Sequence, residues 1–461
     1  MIRVRFFVCS LALTFTLASI LPTQQAAADE LVDLVVGLLA DEDKDVRALA
    51  LEQIRGEAKG AAATRQFAAQ LPKLSVDAQV GLLSALADRA DSAARPAVLA
   101  LLAKSRDEAV RVAAVAALGS LGDQSDLKLL VQTLAKASKA EQAAARTSLV
   151  RLRGENLSKQ IAATMTKAPP PLRVGLIGIL VTRRALETIP DILSAAIDDD
   201  AKVRAAAMTA LGKIARPQHV AGMVQGVLAA KPGRERSGAE KCVMFVCARI
   251  TDPNRRAEPL LAAMEKLGAA DRTVMLSALG RIGGPAALKI IEVVIADADL
   301  HDKGIRALCN WPNASIATRL IELAESDPHK DHRTRTLRAL IRVAPLPDKR
   351  TNAQRLALLK KAMTMCQRDK ERLLVLDRAK AVRIPETLRF VMLHVDQPRF
   401  AQQACLTVVE LAHHRGLREP NKAEFHRALD KVIAISKDAV VVDRAQRYKK
   451  DQTWVRPKSR K

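Results

Sequence analysis

Side chains able to do chemistry are sparse. The 461 residues include 8 His and 6 Cys, and the histidines gather in only two places, His329 with His332 and His413 with His414 and His426. His329 and His332 have helical i, i+3 spacing and lie beside Asp327 and Asp331, a donor set that would suit a divalent metal at the surface. The simpler reading is a polar inter-helix loop with solvated histidines, so neither a metal nor a cofactor is expected. The acidic runs ADEDKD (40–45) and IDDDAK (197–202) lack the spaced ligands and glycine of a calcium loop. They fall where helix N-termini favour negative charge, and are read as caps. The five cysteines beyond residue 28, Cys242, Cys247, Cys309, Cys366 and Cys405, are odd in number and irregular in spacing, which is no disulfide framework; they are expected to be buried thiols acting as small hydrophobes. The sequence has no glycine-rich phosphate loop, no G-x-S-x-G elbow and no CxxC pair. No catalytic set converges, and a non-enzymatic protein is expected.

Charge is the stronger signal. The chain carries +24, but residues 331–461 hold 31 Lys and Arg against 14 Asp and Glu, a net of +17, whereas residues 29–330 hold 41 against 36, a net of +5. The end of the chain, DRAQRYKKDQTWVRPKSRK (443–461), interleaves Arg444, Arg447, Lys449, Lys450, Arg456, Lys458, Arg460 and Lys461 with Tyr448 and Trp454. These eight residues form a candidate anion-binding set on a tail expected to be flexible; a frayed last helix with a solubilising end is the plainer alternative. Trp311, before a proline at an expected inter-helix turn, reads as packing.

The destination of the chain is suggested at its start. Arg3 and Arg5 precede an apolar run, residues 6–21, then Pro22 and small residues Ala26 and Ala28 before Asp29. This is the pattern of a signal peptide over residues 1–28, since about 16 apolar residues fall short of the roughly 20 that span hydrocarbon as a helix. An exported protein, periplasmic or extracellular, is expected. Outside the cytoplasm nucleic acid is a poor partner, and anionic polysaccharide or a lipid surface would be the polyanion.

Whatever these residues do, periodic helices must position them. With Val110 in register with Val46, Ala78, Leu172 and Val203, the separations are 32, 32, 62 and 31 residues, the last but one covering two units; a period near 31 marks a solenoid. Val110, Ala113, Ala114, Ala117, Leu118 and Leu121 follow the spacing of one helix face, and Val203, Ala206, Ala207, Ala210, Leu211 and Ile214 repeat it. Upstream runs such as ARPAVLALLA and TIPDILSAAI open on proline, so each unit is a helical hairpin. The faces are alanine-rich and only 2% of residues are aromatic, which suits closely approaching helices that share a continuous core. The segment KAPPPLR (167–173) is read as an inter-repeat turn, and KPGRERSGAE (231–240) as a long polar loop within a hairpin. The run APLPDKRTNAQR (344–355) lengthens its repeat.

The triplets Asp43, Val46, Arg47, then Asp107, Val110, Arg111, then Asp200, Val203, Arg204, each before an alanine-rich run and twice before ALG, resemble HEAT repeats of the short bacterial kind. That resemblance implies an all-α right-handed solenoid in which Asp43, Arg47, Asp107, Arg111, Asp200 and Arg204 form a structural ladder. The match is good over 29–297 and looser over 298–442. GIRALCNWPNASIATRLIELA (304–324) resembles a carboxyl-terminal part of exported bacterial HEAT-repeat proteins. HEAT-type metal hydroxylases use His-Glu pairs, and no His-Glu dipeptide occurs here. The resemblance implies a scaffold that binds a protein partner on its concave face; the alternative is a module that binds anionic polymers or surfaces through the basic carboxyl third.

The face assignment has a direct consequence. Leu211→Asp should cost at least about 3 kcal/mol, because a large apolar group is lost and a charge is left without a partner between helices. Lys213→Glu on the solvent side should move the denaturant midpoint little, and equal midpoints for the two variants would place Leu211 on the wrong face.

Overall fold

A computed structural model describes residues 32–56 and 60–454. The expected signal peptide and Arg456, Lys458, Arg460 and Lys461 lie outside the described residues. All regular structure among the described residues is helical, α-helices and short 3-10 turns with no strand, and no described helix is long and apolar enough to cross a membrane. The chain divides into two compact units, one ending at Ile214 and the other starting at Ala215, rather than at the 297/298 limit drawn from repeat quality. In the first unit, hairpins run from helix 32–39 with Lys44–Gly56 to Ile189–Ala195 with Ala201–Ile214. In the second they run from Val220–Ala229 with Arg234–Cys247 to Lys422–Ile435 with Ala439–Lys449. Hairpin structure thus continues well beyond the stretch where the repeat motif is legible.

Local signals set the helix starts. Asp107 accepts the Val110 amide at 3.1 Å and Asp200 those of Lys202 and Val203 at 2.7 and 3.1 Å, satisfying donors that the first turn leaves open. Asp41 and Asp43 accept the amides of Asp43 and Asp45, each at 2.8 Å, so both acidic runs cap backbone as their composition implied. The periodic face is buried at Val110, Ala114, Ala117, Leu118, Leu121, Val203, Ala207, Ala210 and Leu211, whereas Ala113, Ala206 and Ile214 are only partly buried. Within each unit the first helix of a hairpin packs on its own second helix, and second helices pack on those of the next hairpin. The glycine of ALG lies at that second contact. A Cβ at Gly119 would meet the Ser148 Cα at 2.9 Å, and one at Gly280 would come within 1.9 Å of the Ala307 carbonyl oxygen.

Two recurring arginine positions join these helices. The first reaches six residues back, to the carbonyl where the previous helix ends or its turn begins: Arg47 to Asp41 (2.7 Å), Arg204 to Asp198 (2.7 Å), Arg236 to Ala230 (2.8 Å), Arg333 to Asp327 (2.6 Å), Arg372 to Cys366 (2.9 Å) and Arg418 to Ala412 (2.8 Å). The second lies at the end of a second helix and reaches the matching end of the preceding hairpin. Arg89 donates to Ile54 O at 2.8 Å, Arg183 to the carbonyls of Leu149, Val150 and Leu152 at 2.8–3.0 Å, and Arg342 to Cys309 O and Trp311 O at 3.0 and 2.7 Å. Both place a cation on carbonyls that helix geometry leaves unsatisfied.

The ladder residues are therefore structural, but their partners differ from an Asp-to-Arg alternation. The aspartates cap their own helices, Arg47 and Arg204 hold turn carbonyls, and Arg111 adds an ion pair with buried Glu141 of the next hairpin at 2.7 Å. Two loop expectations are corrected. KAPPPLR joins the helices Leu157–Lys167 and Pro170–Thr182 of one hairpin rather than two repeats, its prolines opening the second helix. KPGRERSGAE is mostly helix from Arg234 onward, because Gly233 at φ +107 turns the chain and the Arg236 guanidinium closes the turn on Ala230 O.

Arg342→Ala removes two carbonyl contacts from a half-buried guanidinium and should cost about 2 kcal/mol, the range for hydrogen bonds to charged groups. Arg342→Lys should fall between, since an ammonium lacks the fork that serves two carbonyls. Urea titration of the three proteins checks the order.

Candidate functional site

The basic carboxyl end is bound up in packing. Arg444 is buried, donates to Glu410 at 2.7 Å, and stands over the rings of Tyr448 and Trp454 at 5.8 and 4.8 Å. Tyr448 is itself buried, with its hydroxyl 2.9 Å from His413 Nδ1 and the Arg418 guanidinium over its ring. Arg447 pairs with Asp443, and Lys449 with Asp430. Of the eight candidate anion-binding residues, Arg444 is buried, Arg447 and Lys449 make ion pairs at the surface, four lie outside the described residues, and Lys450 is exposed. Of the tail expected to be flexible, the part from Asp443 to Lys449 is helical, with Tyr448 buried against His413 and Arg418. Further back the pattern holds: Arg338 and Arg368 share buried Glu371, and Arg389 meets Glu424.

The thiols are inert. Burial pushes Cys247 and Cys309 up to about 12, and Cys366 and Cys405 up to about 11, so none is a thiolate nucleophile at neutral pH. All five are free, with Cys242 and Cys309 only partly buried. Trp311 is buried and donates its indole N–H to Ser315 Oγ at 3.0 Å, the packing role its position suggested.

The histidines behave differently from the sequence reading. His332 is buried rather than solvated, in the first turn of helix Lys330–Val343, while His329 at the N-cap is exposed. Asp327, with no exposed side-chain surface, lies against both, and His301 of the preceding hairpin joins them at 2.9 Å from Asp327. Asp331 is exposed and acts instead on Arg368. His301 was missed because it is 26 residues from Asp327 in sequence, about one repeat, which only stacking converts into contact. In the other histidine group burial lowers the His414 pKa and His413 binds Tyr448.

A groove of about 560 Å³ opens between helices Glu258–Glu265, Ala269–Ile282 and Pro285–Ala296. Its floor is apolar, with Leu261, Met264, Leu276, Ile290 and Val294, and Arg272, Thr273 and Lys289 stand among its lining residues. Helix Pro285–Ala296 buries Ala287, Ile291 and Ile295 yet leaves Ile290 40% and Val293 67% exposed, so it is apolar on more than the face its own hairpin covers.

A family model described as HEAT repeats matches residues 64–150. No curated protein matches the chain. Among solved structures, the karyopherin Kap121p bound to the SUMO protease Ulp1p aligns at TM-score 0.50 and 12% identity, over 94% of this chain and 54% of that one. Kap121p crystallised without those partners aligns at 0.49 and 12%, over 92% and 53%. Human deoxyhypusine hydroxylase in complex with glycerol aligns at 0.25 and 20%, over 63% and 99%. The chain spans about half the length of the karyopherin chains, and the likeness is one of fold: a helical solenoid of HEAT-type hairpins.

If Arg444 serves packing, Arg444→Ala should lower the stability of the carboxyl-terminal hairpins by about 1–3 kcal/mol through loss of a charged hydrogen bond and two ring contacts. Its retention on a heparin column should stay near that of the unaltered protein. A large drop in retention with unchanged stability would return Arg444 to an anion-binding role.

Proposed function

We propose that the chain is a non-enzymatic scaffold that holds a protein partner on its helical surface, and that it does so after export. The groove beside helix Pro285–Ala296 carries this reading. Its apolar floor and the exposed Ile290 and Val293 offer what an amphipathic segment of a partner buries, with Lys289 placed to meet an acidic flank. A contiguous exposed apolar patch, more than scattered single residues, marks an interaction site. The solved Kap121p structures include complexes with Ulp1p, Cdc14p and Nup53p, an instance of a comparable solenoid holding protein segments. Export is supported by the charged, apolar and small-residue order of residues 1–28, and the deep burial of most thiols is compatible with an oxidising compartment.

The alternative, attraction of an anionic polymer by the basic carboxyl third, is weakened by how its arginines are used. Ion pairing leaves the net charge unchanged, but a guanidinium buried against a carboxylate, as Arg444 is against Glu410, has fewer accessible donors for a phosphate or sulfate.

The two readings separate in one experiment. Mature protein, expected to begin at Asp29, is used to capture partners from envelope extract at low and high salt beside Ile290→Asp/Val293→Asp. Capture that survives high salt and weakens about tenfold or more in the double variant supports the groove, since each buried aliphatic side chain is worth about 1.5–3 kcal/mol. Capture lost at high salt and equal for both proteins would favour the electrostatic reading.

A further inference from the structure

Four metal-ligating side chains converge at one turn of the second unit: His301, Asp327, His329 and His332, with donor atoms all within 4.8 Å of one another. His301 opens helix His301–Leu308, and the other three flank the turn between Ala317–Ser326 and Lys330–Val343 in the following hairpin. The cluster therefore crosses from one hairpin to the next.

The hydrogen bonds fix what each ring offers. His301 Nδ1 lies 2.6 Å from Ile295 O; a carbonyl only accepts, so Nδ1 carries the hydrogen and Nε2, in the neutral ring, presents a lone pair. That lone pair faces Asp327 Oδ2 at 2.9 Å. His332 Nε2 lies 3.1 Å from Asp302 Oδ1, and an ionised carboxylate likewise only accepts. This leaves His332 Nδ1, buried and without a hydrogen-bond partner, at 3.3 Å from Asp327 Oδ1. His329 Nδ1 adds a third nitrogen at 3.5 Å from the same oxygen. Neutral imidazole lone pairs aimed at a carboxylate repel it, so the arrangement is stable only with positive charge between them.

At one turn of the first unit the same position is served by a permanent cation. Asp198, which like Asp327 precedes by six residues the arginine that closes its turn, is met by Arg173 of the preceding hairpin. At Asp327 the corresponding side chain is His301. Where the first unit has one guanidinium, the second has three imidazoles, two of them with their far nitrogens held by an acceptor. Metal-bound histidines are oriented in that way, the distal N–H going to a carbonyl or a carboxylate.

We propose that His301, Asp327, His329 and His332 bind one divalent transition-metal ion of the zinc class, which clamps adjacent hairpins together. Three imidazole nitrogens and one carboxylate oxygen suit Zn²⁺ in tetrahedral coordination. Bonds of about 2.0–2.1 Å place neighbouring ligand atoms roughly 3.3 Å apart; His332 and His329 lie 3.3 and 3.5 Å from Asp327 Oδ1, His301 lies 2.9 Å from Oδ2, and all the ligand atoms fall within 4.8 Å of one another. The exposed His329 ring supplies the remaining adjustment by rotation. Four protein ligands fill the coordination shell, so the ion holds structure rather than presenting an open position to a substrate.

The test uses the full chain freed of metal by a chelator and titrated with Zn²⁺ alone by calorimetry, and with Co²⁺ followed by visible absorption. One ion per chain and the intense bands of tetrahedral Co²⁺ are expected. His329→Ala alters an exposed ring, so the fold should persist by circular dichroism while Zn²⁺ affinity falls at least about tenfold. Asp302→Asn, which loosens the orientation of His332, should weaken binding by about 10- to 100-fold, and His219→Ala should leave it unchanged. Absence of stoichiometric Zn²⁺ binding, or binding indifferent to His329→Ala and Asp302→Asn, would overturn the proposal and assign the cluster to protonated imidazoles paired with Asp327.

Discussion

Each hairpin leaves helix-end carbonyls without amide partners at a turn that packing partly dries. A buried carbonyl without a donor costs on the order of 1–3 kcal/mol, and a solenoid meets this cost at every repeat. Here the answer is a guanidinium. Arginines six residues beyond the turn fold back onto it, as Arg204 and Arg372 do, and arginines at the ends of second helices reach one repeat back, as Arg183 and Arg342 do. A planar fork with five donors serves several carbonyls at fixed geometry, where a lysine offers three freely rotating donors around a single nitrogen. Because each second-class arginine spans two hairpins, turn closure and stacking within a unit are coupled.

Much of the unusual basicity follows. The excess of Lys and Arg in the carboxyl third is partly a ledger of helix ends and of carboxylates such as Glu371 and Glu410 that need a cation. Surface left for recognition is then defined by what this network does not use, and it is apolar at the groove around Ile290 and Val293. A scaffold reading fits that division: arginine and alanine set the frame, and exposed aliphatic side chains meet the partner.

The histidine cluster is an exception to the same rule. A turn carboxylate that at Asp198 receives a guanidinium from the neighbouring hairpin is given imidazoles at Asp327 instead. Their charge is conditional, supplied by a proton or a metal, so a junction that is fixed elsewhere becomes one that can be loaded.

The sequence by itself determined the helical hairpin, its period and most of its buried face, since Val110, Ala114 and Leu118 recur at the spacing of one helix face and the pattern returns a repeat later. It also located the caps, because Asp107 and Asp200 act on amides two or three residues away. Partners about one repeat apart were not legible. Nothing local distinguishes Arg444, buried under Trp454, from exposed Lys450, and nothing links His301 to Asp327 until hairpins stack. Only the tertiary structure decided which cations are spent on carbonyls, which ring nitrogens converge, and which aliphatic groups remain uncovered. The physical reason is range: period and capping act over one or two turns of helix, whereas these contacts depend on the offset between successive hairpins, which many side chains set jointly.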